Sequence, residues 1–112
     1  MYAAFETVSF VVRAWGFHSP LSLEAMRAPL EAASGTVWRD GDSAWHGDYL
    51  GTRLTPNVVA RMYELAGAYV VHLRCDAQTT DTAEVQAASI FLLEFVLPAV
   101  SAESVHVTEP LD

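Results

Sequence analysis

The densest group of chemically active side chains falls in one short run, RDGDSAWHGDY, at residues 39–49. Three aspartates and one histidine lie within nine positions of each other: Asp40, Asp42, His46 and Asp48. Carboxylate and imidazole groups are ligands for hard or borderline cations. The spacing does not match the calcium loop of an EF-hand, and side chains that share one face of a strand do not converge on a point. We therefore predict that this run binds no metal and that the protein uses no cofactor.

The same run combines negative charge with aromatic rings, which also makes it a candidate binding surface. One interpretation is that its polar residues are solvated turn and edge-strand residues. The other is an acidic patch that contacts a partner, in which Trp38, Trp45 and Tyr49 act as the aromatic anchors that dominate interface energy. On this second interpretation, we predict that the partner-binding residues are Asp40, Asp42, Trp45, His46, Asp48 and Tyr49.

Groups that could catalyse a reaction are spread widely along the chain. There are four histidines, one in each of four segments: His18, His46, His72 and His106. No serine lies in a nucleophile elbow, and no glycine-rich phosphate loop is present. Cys75 is typical of a small buried strand residue and Glu94 of the exposed side of a helix; if buried, Glu94 should pair with Arg61 or Arg74. We predict that the protein is not an enzyme.

Composition sets the size of the fold and the kind of partner. A chain of 112 residues with 52% hydrophobic and 18% charged residues predicts one folded domain over residues 1–112. There are 14 acidic and 6 basic residues, all of the latter arginine, which gives a formal charge of −8. Such a charge repels nucleic acids and anionic membranes and attracts a basic protein surface.

The sequence shows no signal that directs it out of the cytoplasm. Residues 1–10 have no basic residue before their apolar ones, unlike a secretory signal. Residues 87–100, the most apolar stretch, are short for a membrane span and contain Glu94 and Pro98. We expect a cytoplasmic protein without a membrane segment.

Strand and helix patterns follow one another in the first part of the chain. Residues 5–13 alternate between polar and apolar types and predict a strand. Ser19 and Pro20 are typical of the start of a helix and Gly35 of its end. Between them we predict the first helix, with a kink or two short pieces near Pro29.

The middle of the chain predicts strands. Residues 36–39 form a short one, Asp40 and Gly41 a turn, and residues 43–54 a second strand with a bulge or bend. Residues 56–65 suit either a helix or a strand. We favour a strand that turns at Ala66–Gly67 into a further strand over residues 68–75.

A second helix and a last strand complete the pattern. Asp81 and Glu84 predict a capping box, and apolar residues at helical spacing continue to Pro98. Residues 90–97 are apolar around most of the helix, more than one sheet face needs, so a homodimer is an alternative to full burial. Residues 104–108 predict a strand and residues 109–112 a loose tail.

This order of elements predicts an α+β fold. Two helices on one face of a mostly antiparallel sheet bury these elements economically, and a ferredoxin-like (split βαβ) variant is the nearest named architecture.

The run RDGDSAWHGDYL resembles a segment of small bacterial immunity proteins of polymorphic or contact-dependent toxin systems. Their pattern has the form RDS…GDYY, and Asp42, Ser43, Gly47, Asp48 and Tyr49 match it, while Leu50 replaces a second aromatic residue. The resemblance implies a protein that neutralises a cognate toxin, often a basic nuclease or another hydrolase, by direct binding.

Three function classes follow from these observations. The leading one is a non-catalytic immunity protein that binds a cognate, basic toxin through its acidic, aromatic-containing surface. The second is a small dimeric ferredoxin-like regulatory or structural domain. The third is a small enzyme or metal-binding protein centred on Asp42, His46 and Asp48.

Overall fold

The computed structural model describes residues 9–43, 47–76 and 81–108, which form an α+β fold. Its strands are β1 (Ser9–His18), β2 (Arg39–Ser43), β3 (Gly47–Thr55), β4 (Val58–Leu65), β5 (Ala68–Asp76) and β6 (Glu103–Val107). Its helices are α1 (Leu23–Ser34) and α2 (Thr82–Phe91). Helix α2 continues as a π-helix, Leu92–Val96, and a 3-10 helix, Leu97–Val100.

The strands form one antiparallel sheet in the order β2-β3-β4-β5-β1-β6. Strands β2 to β5 follow one another as a meander. Helix α1 links β1 to the far edge at β2, and α2 links β5 to the other edge at β6. The predicted α+β class and antiparallel sheet are confirmed. The ferredoxin-like variant is not confirmed, because the long meander gives a different strand order.

Helix α1 begins later than predicted and is continuous. Its N-cap is Ser22, whose Oγ accepts a hydrogen bond from the backbone N–H of Ala25 at 3.1 Å. Ser19, the predicted cap, instead donates its hydroxyl to a carbonyl of the 3-10 helix. Gly35 ends the helix as predicted, with φ of 72°. The helix runs through Pro29 in one piece, so the alternative of two short helices is wrong.

Helix α2 is capped by Asp81, as predicted. The Asp81 carboxylate accepts hydrogen bonds from the backbone N–H groups of Ala83 at 2.9 Å and Glu84 at 3.4 Å. Glu84 does not act as the predicted second half of a capping box. Its carboxylate accepts hydrogen bonds from the Thr55 hydroxyl and from the backbone and side-chain N–H groups of Asn57, so it ties α2 to the turn between β3 and β4.

The hairpin predicted for residues 56–75 is confirmed. Strands β4 and β5 pair in register, and the turn lies at Ala66 and Gly67, with φ of 53° and 84°. Two positive φ values are the geometry of the tight turn that best matches the twist of a hairpin. The last strand is also confirmed, one residue earlier than predicted.

Two strand boundaries differ from the prediction. Strand β1 extends to His18, and residues 1–8 lie outside the described part of the chain. Asp40 and Gly41 lie inside β2 and do not form a turn, so the predicted strand over residues 36–39 is wrong. The reason is Trp38, which is fully buried in the core and donates its backbone N–H to the Glu31 carboxylate at 2.9 Å. This contact holds residue 38 against α1, and the strand therefore starts at Arg39.

Both helices cover the same face of the sheet, as predicted, because one cluster of buried residues joins them to it. Helix α1 contributes Met26 and Leu30, and the continuation of α2 contributes Leu92 and Val96. The strands contribute alternate residues, including Trp15, Phe17, Leu50, Met62, Val71 and Leu73. We call the other side of the sheet the helix-free face, because neither of the two described helices packs against it.

The apolar end of α2 is only partly buried. Leu92 lies in the core, Phe91 is half-buried, and Phe95 is 59% exposed with its ring 5.9 Å from that of Phe91. The prediction that no segment spans a membrane is based on residues 87–100, which are short for a span. The whole helical stretch Thr82–Val100 has the length and composition to cross a membrane, although 39% of its most apolar window is buried inside the fold. In this structure it serves as the helix that covers the sheet.

Candidate binding surface on the β2–β3 hairpin

The predicted partner-binding residues that the structure describes, Asp40, Asp42, Asp48 and Tyr49, lie on a hairpin at one edge of the sheet. Strand β2 is the edge strand, and its register with β3 pairs Asp40 with Leu50 and Asp42 with Asp48. Leu50 points into the core beneath the helices. Because side chains alternate along a strand and paired residues share a face, the three aspartates lie on the helix side. Tyr49 therefore lies on the helix-free face.

Asp42 and Asp48 stand directly opposite each other across the two strands. Both residues are exposed, and no hydrogen bond or ion pair among the described residues involves either carboxylate. Like charges in directly opposed strand positions destabilise a sheet, by roughly 0.2–1 kcal/mol. The pair therefore costs folding free energy and receives no compensating contact within the described structure.

A cleft of about 790 Å³ opens between this side of the hairpin and the N-terminus of α1. Arg27 is the one basic residue among the described lining residues, and Arg27 Nη1 lies 3.5 Å from Asp40 Oδ2 in an exposed ion pair. Such pairs contribute about 1 kcal/mol or less. Four carboxylates line the cleft, which we call the acidic cleft: Glu24, Asp40, Asp48 and Glu64. Negative charge therefore dominates this side of the hairpin.

Tyr49 is held flat on the helix-free face. Gly41 leaves room for its ring, since a Cβ atom at position 41 would lie 2.2 Å from Tyr49 Cζ. The Arg61 guanidinium stacks over the ring at 4.7 Å from its centroid, and the Tyr63 ring lies at 5.3 Å. A partner that contacts both the aspartates and Tyr49 must therefore reach around the edge strand β2.

The remaining predicted residues are placed as follows. Trp45 and His46 lie outside the described residues, so their positions relative to the cleft are not defined. Within the described ranges, no three side chains of the types His, Cys, Asp and Glu are arranged to hold a metal ion. Asp42 and Asp48 do share one face, but as cross-strand neighbours.

The other residues considered for chemistry have structural positions. Cys75 is buried in β5 and Glu94 is exposed on the π-helix, both as predicted. His72 is 1% exposed, with its ring 5.1 Å from that of Tyr63, and is part of the packing on the helix-free face. His106 lies on the edge strand β6 and is exposed, with Nδ1 2.8 Å from a backbone carbonyl of the same strand.

Sequence reasoning missed Glu24 and Glu64 as members of the acidic cleft. They come from α1 and β4, far from residues 40–48 in sequence, and only the sheet register and the placement of α1 bring them together. In comparisons with known proteins, no family model and no curated sequence matches this chain. The resemblance to immunity proteins remains a prediction from the RDGDSAWHGDYL run.

Proposed function

We propose that this protein is a non-catalytic binding protein that neutralises a basic protein toxin through the acidic side of the β2–β3 hairpin, as immunity proteins do. The observation that carries the proposal is the Asp42–Asp48 pair, which faces solvent without a compensating contact among the described residues. A cationic side chain of a partner would relieve this repulsion.

The electrostatics of the cleft suit such a partner. Its four carboxylates lie together on a chain that already carries a formal charge of −8. The local charge of the cleft and the net charge of the chain are both negative, so both attract a basic protein. This attraction speeds diffusional encounter and makes the association rate sensitive to salt. The same field disfavours nucleic acids and anionic membranes.

The aromatic anchors complete the proposed surface. Trp45 and His46 belong to the segment that connects β2 to β3, and Tyr49 lies on the helix-free face. We therefore describe the surface as the end of the hairpin, with the aspartates on one side and Tyr49 on the other. Residues of this kind, packed against a partner, typically determine how slowly a complex dissociates.

If a neighbouring gene encodes a toxin-like protein, co-expression with its product tests the proposal in the cytoplasm, where we propose that this protein acts. The wild-type chain should restore growth and form a stoichiometric complex with that product. Asp42→Lys combined with Asp48→Lys should lose protection. Glu94→Lys combined with Glu103→Lys makes the same change in net charge at exposed positions away from the hairpin and should keep it. Equal protection by both double variants would contradict the proposal.

A second candidate is a small dimeric regulatory or structural domain, which one observation favours. A groove of about 490 Å³ runs beside the edge strand β6 and is lined by Ile90, Leu93 and Val107. Val107 is 78% exposed and Ile90 43% exposed. Sedimentation at micromolar concentration tests this: a dimer that Val107→Lys converts to a monomer supports it, and a wild-type monomer rejects it.

A further inference from the structure

Three of the arginines lie around one glycine of the sheet, on the face opposite the aspartates of the hairpin. Strand register places Arg39 and Arg61 on either side of Gly51, on the helix-free face. Arg53 lies two positions further along the same strand as Gly51 and so shares that face. Strand spacing puts the Cα atoms of Arg39 and Arg61 roughly 10 Å apart, and that of Arg53 about 7 Å from Gly51. Three long cationic side chains thus surround a position without a side chain.

These residues line one pocket. Its volume is about 590 Å³, and Arg39, Arg53, Arg61, Gly51 and Tyr49 are among its lining residues. Among the described lining residues, Asp40 is the one carboxylate. Its register with Leu50 places it on the helix side, where it pairs with Arg27.

The three guanidinium groups retain hydrogen-bond donors. Among the described residues, none of these three arginines forms an ion pair with a carboxylate. Arg61 stacks on Tyr49, which leaves the N–H groups at its edge available. Arg53 uses Nη1 to donate to the Pro56 carbonyl at 2.8 Å. No hydrogen bond or ion pair within the described part of the chain involves the Arg39 guanidinium group.

We propose that this arginine pocket, formed by Arg39, Arg53 and Arg61 around Gly51, binds a small, multiply charged oxyanion bearing phosphoryl or carboxylate groups. Guanidinium groups bind such oxygens in a bidentate manner. The formal charge of −8 repels a long polyanion, whereas a small ligand meets mainly the local positive charge. The three arginines lie on the opposite face of the sheet from the aspartates of the acidic cleft, and the two cavities share Asp40 and Tyr49 as lining residues.

Titration of the purified protein with inorganic pyrophosphate, and separately with citrate, tests the pocket without any protein partner. Amide shifts in NMR spectra should saturate and be largest in β2, β3 and β4. Arg39→Gln combined with Arg61→Gln should weaken binding by roughly tenfold or more, because two charged hydrogen-bonding groups are lost. Arg13→Gln removes an arginine that bonds Gln86 and Ser89 on the helix side, and should leave affinity unchanged.

A second variant tests whether binding depends on the shape of the pocket or only on its positive charge. Gly51→Val keeps every charge but fills the floor, where a Cβ atom would already lie 3.2 Å from Tyr49 Cε1. We expect this variant to lose binding while circular dichroism shows an intact fold. Saturable binding of both probes supports a pocket that accepts either phosphoryl or carboxylate groups, and binding of only one probe shows which of the two groups it accepts. Absence of saturable binding, an equal loss in Arg13→Gln, or full affinity in folded Gly51→Val would overturn the proposal.

Discussion

The two sides of the β2–β3 hairpin carry opposite charge, although alternating residues of the same short stretch of chain form both sides. On the helix side, Asp40 and Asp48 line the acidic cleft, and Asp42 lies opposite Asp48. On the helix-free face, Arg39 and Tyr49 belong to the arginine pocket. Because successive side chains of a strand point to opposite faces, the aspartates and Arg39 are placed on different sides. The formal charge of −8 for the whole chain therefore describes neither side well.

The two sides also differ in how their charged groups are compensated. On the helix-free face, Arg61 stacks on Tyr49, and Tyr49 rests on Gly41. On the helix side, the Asp42–Asp48 pair has no compensating contact among the described residues. A protein keeps an uncompensated charge pair at some cost in stability, and such a pair is where a ligand of opposite charge binds most favourably.

The largest expected effect comes from the residue that holds the hairpin to α1. Trp38 is fully buried, and its indole N–H donates to Ser34 Oγ at 3.0 Å. Trp38→Ala should lower the free energy of unfolding by about 3–5 kcal/mol, because it leaves a cavity beneath β2. Urea unfolding measures this, with Val37→Ala as control, since Val37 is 57% exposed. Comparable losses in the two variants would show that Trp38 does not anchor the hairpin.

Acid stability sharpens the contrast between carboxylates with and without partners. Hydrogen bonds from Thr55 and Asn57 lower the pKa of Glu84 from its ordinary value of 4.5. A lowered folded-state pKa stabilises the fold above the unfolded-state pKa, and this contribution disappears as the pH falls through the folded-state value. Glu84→Gln should therefore be less stable than wild type near neutral pH, and the difference should shrink in acid. Unfolding by urea at several pH values measures it; a pH-independent difference would contradict the assignment.

A smaller effect tests the packing of Tyr49. Gly41→Ala should push the Tyr49 ring away from Arg61 and cost about 0.5–1 kcal/mol, the size of an exposed cation–π contact. In a Tyr49→Ala background the same substitution should cost nothing, because the clashing ring is gone. The coupling energy of this double-mutant cycle is the measured quantity. A coupling energy near zero would mean that the ring does not rest on Gly41.

The smallest expected change is a gain in stability. Asp42→Asn combined with Asp48→Asn removes the cross-strand repulsion and should raise the free energy of unfolding by roughly 0.2–1 kcal/mol. The gain should shrink at high salt, which screens exposed charges. A loss of stability would show that the two carboxylates support the fold.

Much of the fold could be predicted from local signals. The Asp81 cap, the Gly35 helix end and the turn at Ala66 and Gly67 are each encoded within a few residues, and all three are present. The Trp38 position could not be predicted locally, because an alternating pattern does not reveal that a tertiary contact with α1 delays the start of β2. Because β2 starts at Arg39, Asp40 and Gly41 lie within a strand and do not form the predicted turn.

The candidate site was predictable only in part, for the same reason. The acidic composition of residues 40–48 is visible in the sequence, but the placement of the aspartates on the helix side and of Tyr49 on the opposite face depends on the register of β2 with β3. Glu24, Glu64 and the group of three arginines are assembled by the meander and by α1. No spacing rule within one segment joins residues that neighbouring strands bring together.

If a neighbouring gene encodes a toxin-like protein, association kinetics with that protein test the central claim most directly. The measurement compares wild type, the double variant Asp42→Lys with Asp48→Lys, and the charge-matched control Glu94→Lys with Glu103→Lys, at low and high salt. We predict that the hairpin variant associates roughly 10- to 100-fold more slowly at low salt, that the control changes little, and that high salt narrows the difference. Equal association rates for the two folded double variants would contradict the claim and place the partner surface away from the hairpin.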